Sequence, residues 1–312
     1  AGFTDCSSAL KEAKEDIDDR FLLLYSDNFV PFPIEKVLAY HESKGSPLTF
    51  MVSPKSPGNI NIDETGTVQK YDSNRSNDLD YVEIGYMIVD KEKTMEFFET
   101  PECSFSDVLF EMASQKQISA WVQYDTYHSI SDPERWKIAE AYLRPKKVIL
   151  LDRDGVINEK AAKGEYINHW KDFRWIERTR KSLKKLSEQG FSFIVISNQA
   201  GIARGTTHAK EVKYIHTEMI EELAKDGVVI IQIYVCPHNW EDGCFCRKPK
   251  PGLFFQAAKD HLIRLDMTCF VGDDQRDMEA AEEAGCEGIF WRDEPNYPEW
   301  ADVVLSKSTP NL

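Results

Sequence analysis

Four short segments carry residue types that can move a phosphoryl group, and all lie in the second half of the 312-residue chain. Asp152-Arg153-Asp154-Gly155 closes an apolar run. Carboxylates at i and i+2 of an extended segment share a face, and the turn that Gly155 permits can aim both at one point. Such a pair can hold Mg2+ with one oxygen and attack phosphorus with another; taken alone, it also reads as an acidic turn. Ser197-Asn198-Gln199, followed by Ala200-Gly201-Ile202, offers a hydroxyl and a run of backbone N–H groups suited to phosphate, or a helix cap and a turn. In Arg247-Lys248-Pro249-Lys250-Pro251-Gly252, Lys248 can neutralise charge on a transferring phosphoryl group, where the plainer reading is a solvated charge run. Val271-Gly272-Asp273-Asp274, with Asp277 one turn later, again presents carboxylates suited to Mg2+, although Asp273 or Asp274 would also serve as a helix N-cap.

A fifth cluster stands apart. Cys236-x-His238-x5-Cys244-x-Cys246 places four soft or borderline ligands on one short loop, enough to close a tetrahedral Zn2+ site. With four protein ligands no position is left for water. The zinc is therefore expected to be structural, stiffening the loop that delivers Arg247 and Lys248, with His238 a ligand and not a catalytic base. The alternative, three buried thiols and a surface histidine, is weakened by residues 240–243, which read as an exposed loop with nothing to bury a thiol against. Cys6, Cys103, Cys269 and Cys286 are scattered singly. An odd cysteine count without a charged-then-apolar leader favours reduced thiols plus a metal site, and a cytoplasmic protein. The chain opens on Ala1 without Met, which reads as a processed or shortened chain.

These segments need a scaffold, and the second half supplies one. Apolar runs at 148–152, 191–197, 228–235, 267–272 and 288–291 alternate with helical periodicity at 178–190, 209–226, 251–262 and 275–284. That alternation predicts a parallel sheet covered by helices on both faces. In such folds sites form at the carboxyl ends of strands, where the four segments fall. No large helical cap is evident between them, so an open site is expected. The first half is mixed α/β and less regular. Strands are expected at 21–25, 48–52, 67–71, 81–89 and 118–124, helices at 34–43, 105–115 and 133–143, and loops at 53–61 and 72–80. The junction is placed at 142/143, beside Pro145.

The net charge is −15, from 38 basic and 53 acidic side chains. Residues 1–142 hold 13 basic against 26 acidic groups and residues 143–312 hold 25 against 27, so the acidity sits in the first half. An acidic chain argues against nucleic acid or an anionic membrane as partner, and no apolar run approaches the roughly 20 residues of a membrane helix.

Taken in order, DRDGVIN, SNQAGIARG, RKPKPG and VGDDQRD resemble the four motifs of the haloacid dehalogenase superfamily of phosphatases. The resemblance extends from Lys147 to the C-terminus, about 165 residues. Within the superfamily the chain is similar to the D-glycero-D-manno-heptose-1,7-bisphosphate 7-phosphatases, which carry the same CxH…CxC loop, with histidinol-phosphate phosphatases as their nearest relatives. The resemblance implies a Rossmann-like fold with a minimal cap, Asp152 as nucleophile through an aspartyl-phosphate, and Asp154 as general acid and then base. It further implies Mg2+ between Asp152, the backbone carbonyl of Asp154 and Asp273, phosphate held by Ser197, Asn198 and Lys248, and Arg247 and Arg204 facing the rest of a small sugar-phosphate substrate. Asp274 stands where some members carry Lys.

In the first half, FLLLYSDNF (residues 21–29), Glu83-Ile84-Gly85-Tyr86 and residues 127–135 resemble sugar-1-phosphate nucleotidyltransferases. The Gly-rich nucleotide loop of that family is absent, Ser26 replaces its usual Gly, and Ser129 stands where many members have a metal-binding Asp. Residues 1–142 are therefore read as an inactive or truncated transferase-like domain, now packed against the phosphatase or forming a homo-oligomer contact. A longer N-terminus would instead imply a bifunctional heptose-1-phosphate nucleotidyltransferase and phosphatase.

Overall fold

The computed structural model describes residues 10–98, 104–162 and 164–307; Cys6 and Cys103 lie outside them. The chain divides into two compact units, residues 1–139 and 140–312.

The first unit is built on a six-stranded sheet of order β5-β4-β6-β3-β7 with β1 also pairing β6. The strands are β1 (Arg20–Leu24), β3 (Leu48–Pro54), β4 (Gly58–Ile62), β5 (Val68–Ser76), β6 (Tyr81–Asp90) and β7 (Ile118–Val122). A two-stranded ribbon pairs β2 (Asn28–Phe29) with β8 (His128–Ser129). The helices are α1 (Ile34–Lys44), α2 (Lys91–Phe98), α3 (Phe105–Ser114) and α4 (Pro133–Leu143), the last spanning the division between units. Only β3 and β7 run parallel; the other pairs are antiparallel.

Two segments expected to be loops are strands. Residues 58–62 form β4, and β5 continues to Ser76. The polar residues that signal a loop here tie β4 to β6 and the turn before it: Asn59 Oδ1 accepts Glu83 N–H at 3.0 Å, Asn61 Oδ1 accepts Asp80 N–H at 2.9 Å, and Asn61 Nδ2 donates to the Asp78 carbonyl. Amide side chains complete a ladder here that propensity alone disfavours.

The second unit carries the expected doubly wound sheet. Its strands β9 (Val148–Leu151), β10 (Ser192–Asn198), β11 (Ile230–Cys236), β12 (Cys269–Gly272) and β13 (Glu287–Phe290) are all parallel, in the order β11-β10-β9-β12-β13. Successive strand residues face opposite ways, and all four residues of β9 are buried. Ile149 and Leu151 pack with α5 (Glu177–Ser187), α6 (Ala209–Lys225) and α9 (Trp300–Lys307). Val148 and Leu150 pack with α7 (Gly252–His261) and α8 (Gln275–Glu283). Chain direction along the sheet reverses between β9 and β12, where a crevice forms at the carboxyl edge of such folds.

A buried polar chain crosses the first unit. His41 Nδ1 lies 2.6 Å from Thr49 Oγ1, which lies 2.7 Å from Ser119 Oγ. His41 Nε2 is 3.2 Å from Asp90 Oδ1, at an angle too poor for a good hydrogen bond. Burial pushes the His41 pKa down, against the pull of Asp90. The folded state thus holds a neutral imidazole, while the unfolded chain takes up a proton below pH about 6.5. The His41 contribution to stability must then fall as pH drops below that value, since at this group the unfolded state binds more protons. Calorimetric unfolding at pH 7 and pH 5 is expected to show the first unit of His41→Gln gaining on wild type as the pH drops; an equal pH dependence in the two would remove His41 as a source.

Candidate active site

Asp152 is the first residue beyond β9, and its position follows from the strand that precedes it. The carboxylate is nearly buried, with Oδ1 accepting Arg153 N–H at 2.7 Å and the Lys248 ammonium at 2.9 Å. Among the described residues, Oδ2 has no hydrogen-bond partner. Burial pushes the Asp152 pKa up and the charges of Asp277 and Asp154 add to it, while Lys248 opposes them.

Lys248 joins the ends of β9 and β10 to the first turn of α8. Its Nζ reaches Asp152 Oδ1, Asp277 Oδ1 at 2.8 Å and the Ile196 carbonyl of β10 at 2.9 Å, with 2% of the side chain exposed. Burial alone would lower its pKa, but the two carboxylates outweigh that and raise it, so the ammonium persists. Asn198 holds the segment in place: its amide donates to the Lys248 carbonyl at 3.0 Å and accepts Lys248 N–H at 3.2 Å. The Asn198 side chain therefore positions Lys248, leaving backbone groups at this strand end to meet a phosphate. Ser197 is buried and accepts from Gln199 Nε2 at 2.9 Å.

Gly155 turns the chain after Asp154 with φ +93°, and a Cβ there would collide with Asp273 Oδ2 and come within 2.6 Å of Lys160 Cε. Glycine is required at this position both by conformation and by the approach of β12. At the end of β12, Asp273 Oδ1 is buried without a hydrogen-bond partner, and its Oδ2 meets Lys160 Nζ at 2.6 Å. Burial raises the Asp273 pKa against the pull of Lys160. Asp274 is the N-cap of α8, accepting Arg276 N–H at 3.0 Å within a capping box completed by Asp277. The Arg276 guanidinium holds the Asp274 carboxyl well below the usual range. One residue of the pair thus caps the helix and the other faces the site.

One oxygen each from Asp152, Asp273 and Asp277 lies within 4.8 Å of the other two, close enough to share a cation. Asp277 has no oxygen to spare, since Oδ1 meets Lys248 and Oδ2 accepts the N–H groups of Asp273 and Asp274. Its work is to shape the loop. Asp273, with an orphaned buried oxygen, and Asp152 fit the oxygen-donor chemistry of a hard divalent cation.

Asp154 is held differently from its neighbour. Arg153 Nη2 lies 2.8 Å from each of its oxygens, Asn158 Nδ2 donates to Oδ1 at 3.0 Å, and Gln199 Nε2 donates to Oδ2 at 2.7 Å. Burial would raise the Asp154 pKa, but Arg153 and the amides prevail and lower it. Arg153 is itself 1% exposed, and its Nη1 donates to His216 Nε2 at 2.9 Å. Burial first and Arg153 second push the His216 pKa down to about 3, leaving a neutral acceptor ring. Arg153, His216, Gln199 and Lys160 escape a reading by motif. Arg153 and Gln199 do stand inside the quoted segments; His216 lies on α6 and carries no local signal.

The ligand atoms of Cys236, His238, Cys244 and Cys246 lie within 4.8 Å of one another. Cys246 Sγ is 3.5 Å from both Cys236 Sγ and Cys244 Sγ, Cys236 Sγ is 3.7 Å from Cys244 Sγ and from His238 Nδ1, and His238 Nδ1 is 3.1 Å from Cys246 Sγ. A tetrahedron with centre-to-ligand distances of about 2.3 Å has edges of about 3.8 Å, so the donor set fits Zn2+. Arg247 Nη1 donates to the His238 carbonyl at 3.3 Å, and so binds the loop itself. Arg204 donates to Asn239 Oδ1 at 3.1 Å and Tyr166 Oη at 3.2 Å, and lies 4.0 Å from the centre of the Trp240 ring.

In the first unit, Asp27 precedes β2, whose Asn28 pairs with Ser129 of β8. Glu83 of β6 is pushed up to about 7, chiefly by burial, with Asp27 adding to the shift.

The family model described as Polynucleotide kinase 3 phosphatase matches residues 147–285. The D-glycero-alpha-D-manno-heptose-1,7-bisphosphate 7-phosphatase of Photorhabdus laumondii is 38% identical over 152 residues, covering 46% of this chain and 81% of the relative. The D-glycero-beta-D-manno-heptose-1,7-bisphosphate 7-phosphatase of Haemophilus ducreyi is 40% identical over 147 residues, covering 45% and 79%. A solved structure of D,D-heptose 1,7-bisphosphate phosphatase from B. bronchiseptica, complexed with magnesium and phosphate, is 28% identical and covers 52% of this chain and 99% of that one, at a TM-score of 0.47. Identity of this degree, sustained over most of the length of two curated enzymes, fixes the kinship: the chain belongs to the D-glycero-manno-heptose-1,7-bisphosphate 7-phosphatase family and is a phosphoric monoester hydrolase.

Proposed function

We propose that the chain removes the 7-phosphate of D-glycero-D-manno-heptose 1,7-bisphosphate through a phosphate ester on Asp152, feeding nucleotide-activated heptose synthesis. The observation that carries the reading is the Asp152 carboxylate, anchored through one oxygen to Lys248 and Arg153 N–H with the other oxygen unbonded. A buried nucleophile held in one orientation loses little entropy on attack. The free oxygen attacks phosphorus, the bond from phosphorus to the sugar oxygen breaks, and Asp154 protonates the departing oxygen. Asp154 then takes a proton from the water that hydrolyses the aspartyl-phosphate. The acid role requires Asp154 to leave the Arg153 guanidinium when substrate arrives, because that contact favours the ionised form. Ser197 and backbone N–H groups at Asn198 hold the phosphoryl oxygens, and Lys248, whose three N–H groups are committed to Asp152, Asp277 and the Ile196 carbonyl, contributes its charge beside them.

Mg2+, with Asp152, Asp273 and the backbone carbonyl of Asp154 as its holders, supplies charge screening between an anionic nucleophile and an anionic phosphate. Zn2+ on Cys236, His238, Cys244 and Cys246 braces the segment leading to Lys248. Arg204 and Arg247 belong to the loops that would face the sugar. The resemblance of segments in residues 21–29, 83–86 and 127–135 to sugar-1-phosphate nucleotidyltransferases supports a heptose over histidinol, because it would place the chain in sugar activation. The protein is read as cytoplasmic; among the described residues no helix is long and apolar enough to cross a membrane.

Phosphate release in MgCl2 tests the substrate. Heptose 1,7-bisphosphate should be turned over well ahead of histidinol phosphate, and Asp152→Asn should lose about a thousandfold or more in kcat. Equal or faster turnover of histidinol phosphate would overturn the heptose assignment while keeping the machinery. Metal analysis tests the loop. One zinc per chain is expected, and Cys246→Ser should lose it and lower the melting temperature of the second unit by about 10 °C, for a loss of about 3 kcal/mol. A metal-free wild type with unchanged stability in the variant would remove zinc from the account.

A further inference from the structure

Lys160 has no part in the reading so far, yet it makes one of the shortest contacts at the site. It lies a few residues past the Gly155 turn, with 46% of its side chain exposed, and its Nζ sits 2.6 Å from Asp273 Oδ2. The other Asp273 oxygen is buried and unpartnered. Asp152, Asp273 and Asp277 crowd three carboxylates together. Among the described residues, the cations in ion-pair contact with them are Lys248 and Lys160.

The two lysines are not equivalent. Lys248 is sealed in and holds two carboxylates and a carbonyl, so its departure would strand two buried charges. Lys160 has one carboxylate partner and a solvent-exposed stem, so it can withdraw into water at little cost. With both lysines in place the cluster carries one net negative charge. Exchanging one ammonium for a divalent cation brings it to zero. A divalent cation arriving at Asp273 also repels the ammonium already there.

We propose that Lys160 is the resident counter-ion of Asp273, competing with the divalent cation for that carboxylate and yielding to it on binding. The inference rests on the reading of Asp152 and Asp273 as cation ligands. Without the metal, Lys160 keeps Asp273 ionised and in position. With it, the freed ammonium stands at the mouth of the site.

Titration calorimetry of the full chain with MgCl2, without substrate, tests this. Lys160→Met should bind Mg2+ about tenfold more tightly than wild type, the size expected for removing a half-exposed competing charge. Lys160→Arg should stay near wild type. Arg276→Gln serves as the control for general electrostatics, since Arg276 pairs with Asp274 and not with Asp273; it should also stay near wild type. Unchanged or weaker binding in Lys160→Met, or equal tightening in Arg276→Gln, would overturn the proposal alone. Absence of Mg2+ binding in the wild type would overturn it together with the metal reading.

Discussion

The second unit is organised around a buried ammonium. Lys248 is 2% exposed and bonds Asp152, Asp277 and the Ile196 carbonyl, so one cation fastens the ends of β9, β10 and the turn after β12. A lone charge in such a place would be untenable, and an ion pair there is stable only when its partners are complete. Each neighbouring feature supplies part of that completeness. Asn198 fixes both backbone groups of Lys248. Cys246 lies two residues upstream, so the cysteine and histidine cluster bears directly on where Lys248 enters the sheet edge. Asp277 meets the ammonium with one oxygen and shapes the Asp273 loop with the other.

A second buried charge organises the other side of Asp152. Arg153 points away from solvent, clamps Asp154 and ends on the neutral ring of His216. Asp152 and Asp154, two positions apart in sequence, thereby sit in opposite electrostatic settings. Burial and neighbouring anions push Asp152 up, and a guanidinium pulls Asp154 down. These directions are the reverse of what the roles proposed for the two residues need, so the reaction requires the Arg153 contact to Asp154 to be released when substrate binds. The sheet supplies the geometry; burial prevails over Lys248 at Asp152, and Arg153 with the amides prevails over burial at Asp154.

The strand-end carboxylates, the lysine and the cysteine and histidine cluster were legible as groupings because each depends on local spacing: i and i+2 after a buried strand, or four side chains within eleven residues. The parallel sheet was legible because its strands are continuous apolar runs. What the sequence concealed is contact between distant segments. Nothing around His216 marks it as the terminus of the Arg153 clamp, because α6 meets β9 only in the folded chain. Lys160 reads as one more surface lysine until Asp273 is placed beside it. Asn198 reads as a phosphate ligand until its amide is found on the Lys248 backbone. In the first unit, β4 was hidden for a related reason: its asparagines resemble loop residues, and their pairing depends on Asp78, Asp80 and Glu83 some twenty positions away.

The contacts around Arg204 obey a different rule from those around Lys248. Arg204 bridges Tyr166 and Asn239 and stacks on Trp240, whose ring is 61% exposed. None of these partners is a buried carboxylate, so exchanging one of them leaves no stranded charge. Three loops, following β9, β10 and β11, meet there without sharing the ion pairs that hold the nucleophile. Substitution in those loops can therefore reshape what lies beyond the phosphate while Asp152, Lys248 and Asp277 stay fixed. The converse does not hold, because any change at Lys248 uncovers two carboxylates at once. The ion-paired cluster at Lys248 is thus constrained by electrostatics, and the loops around Arg204 are constrained mainly by shape.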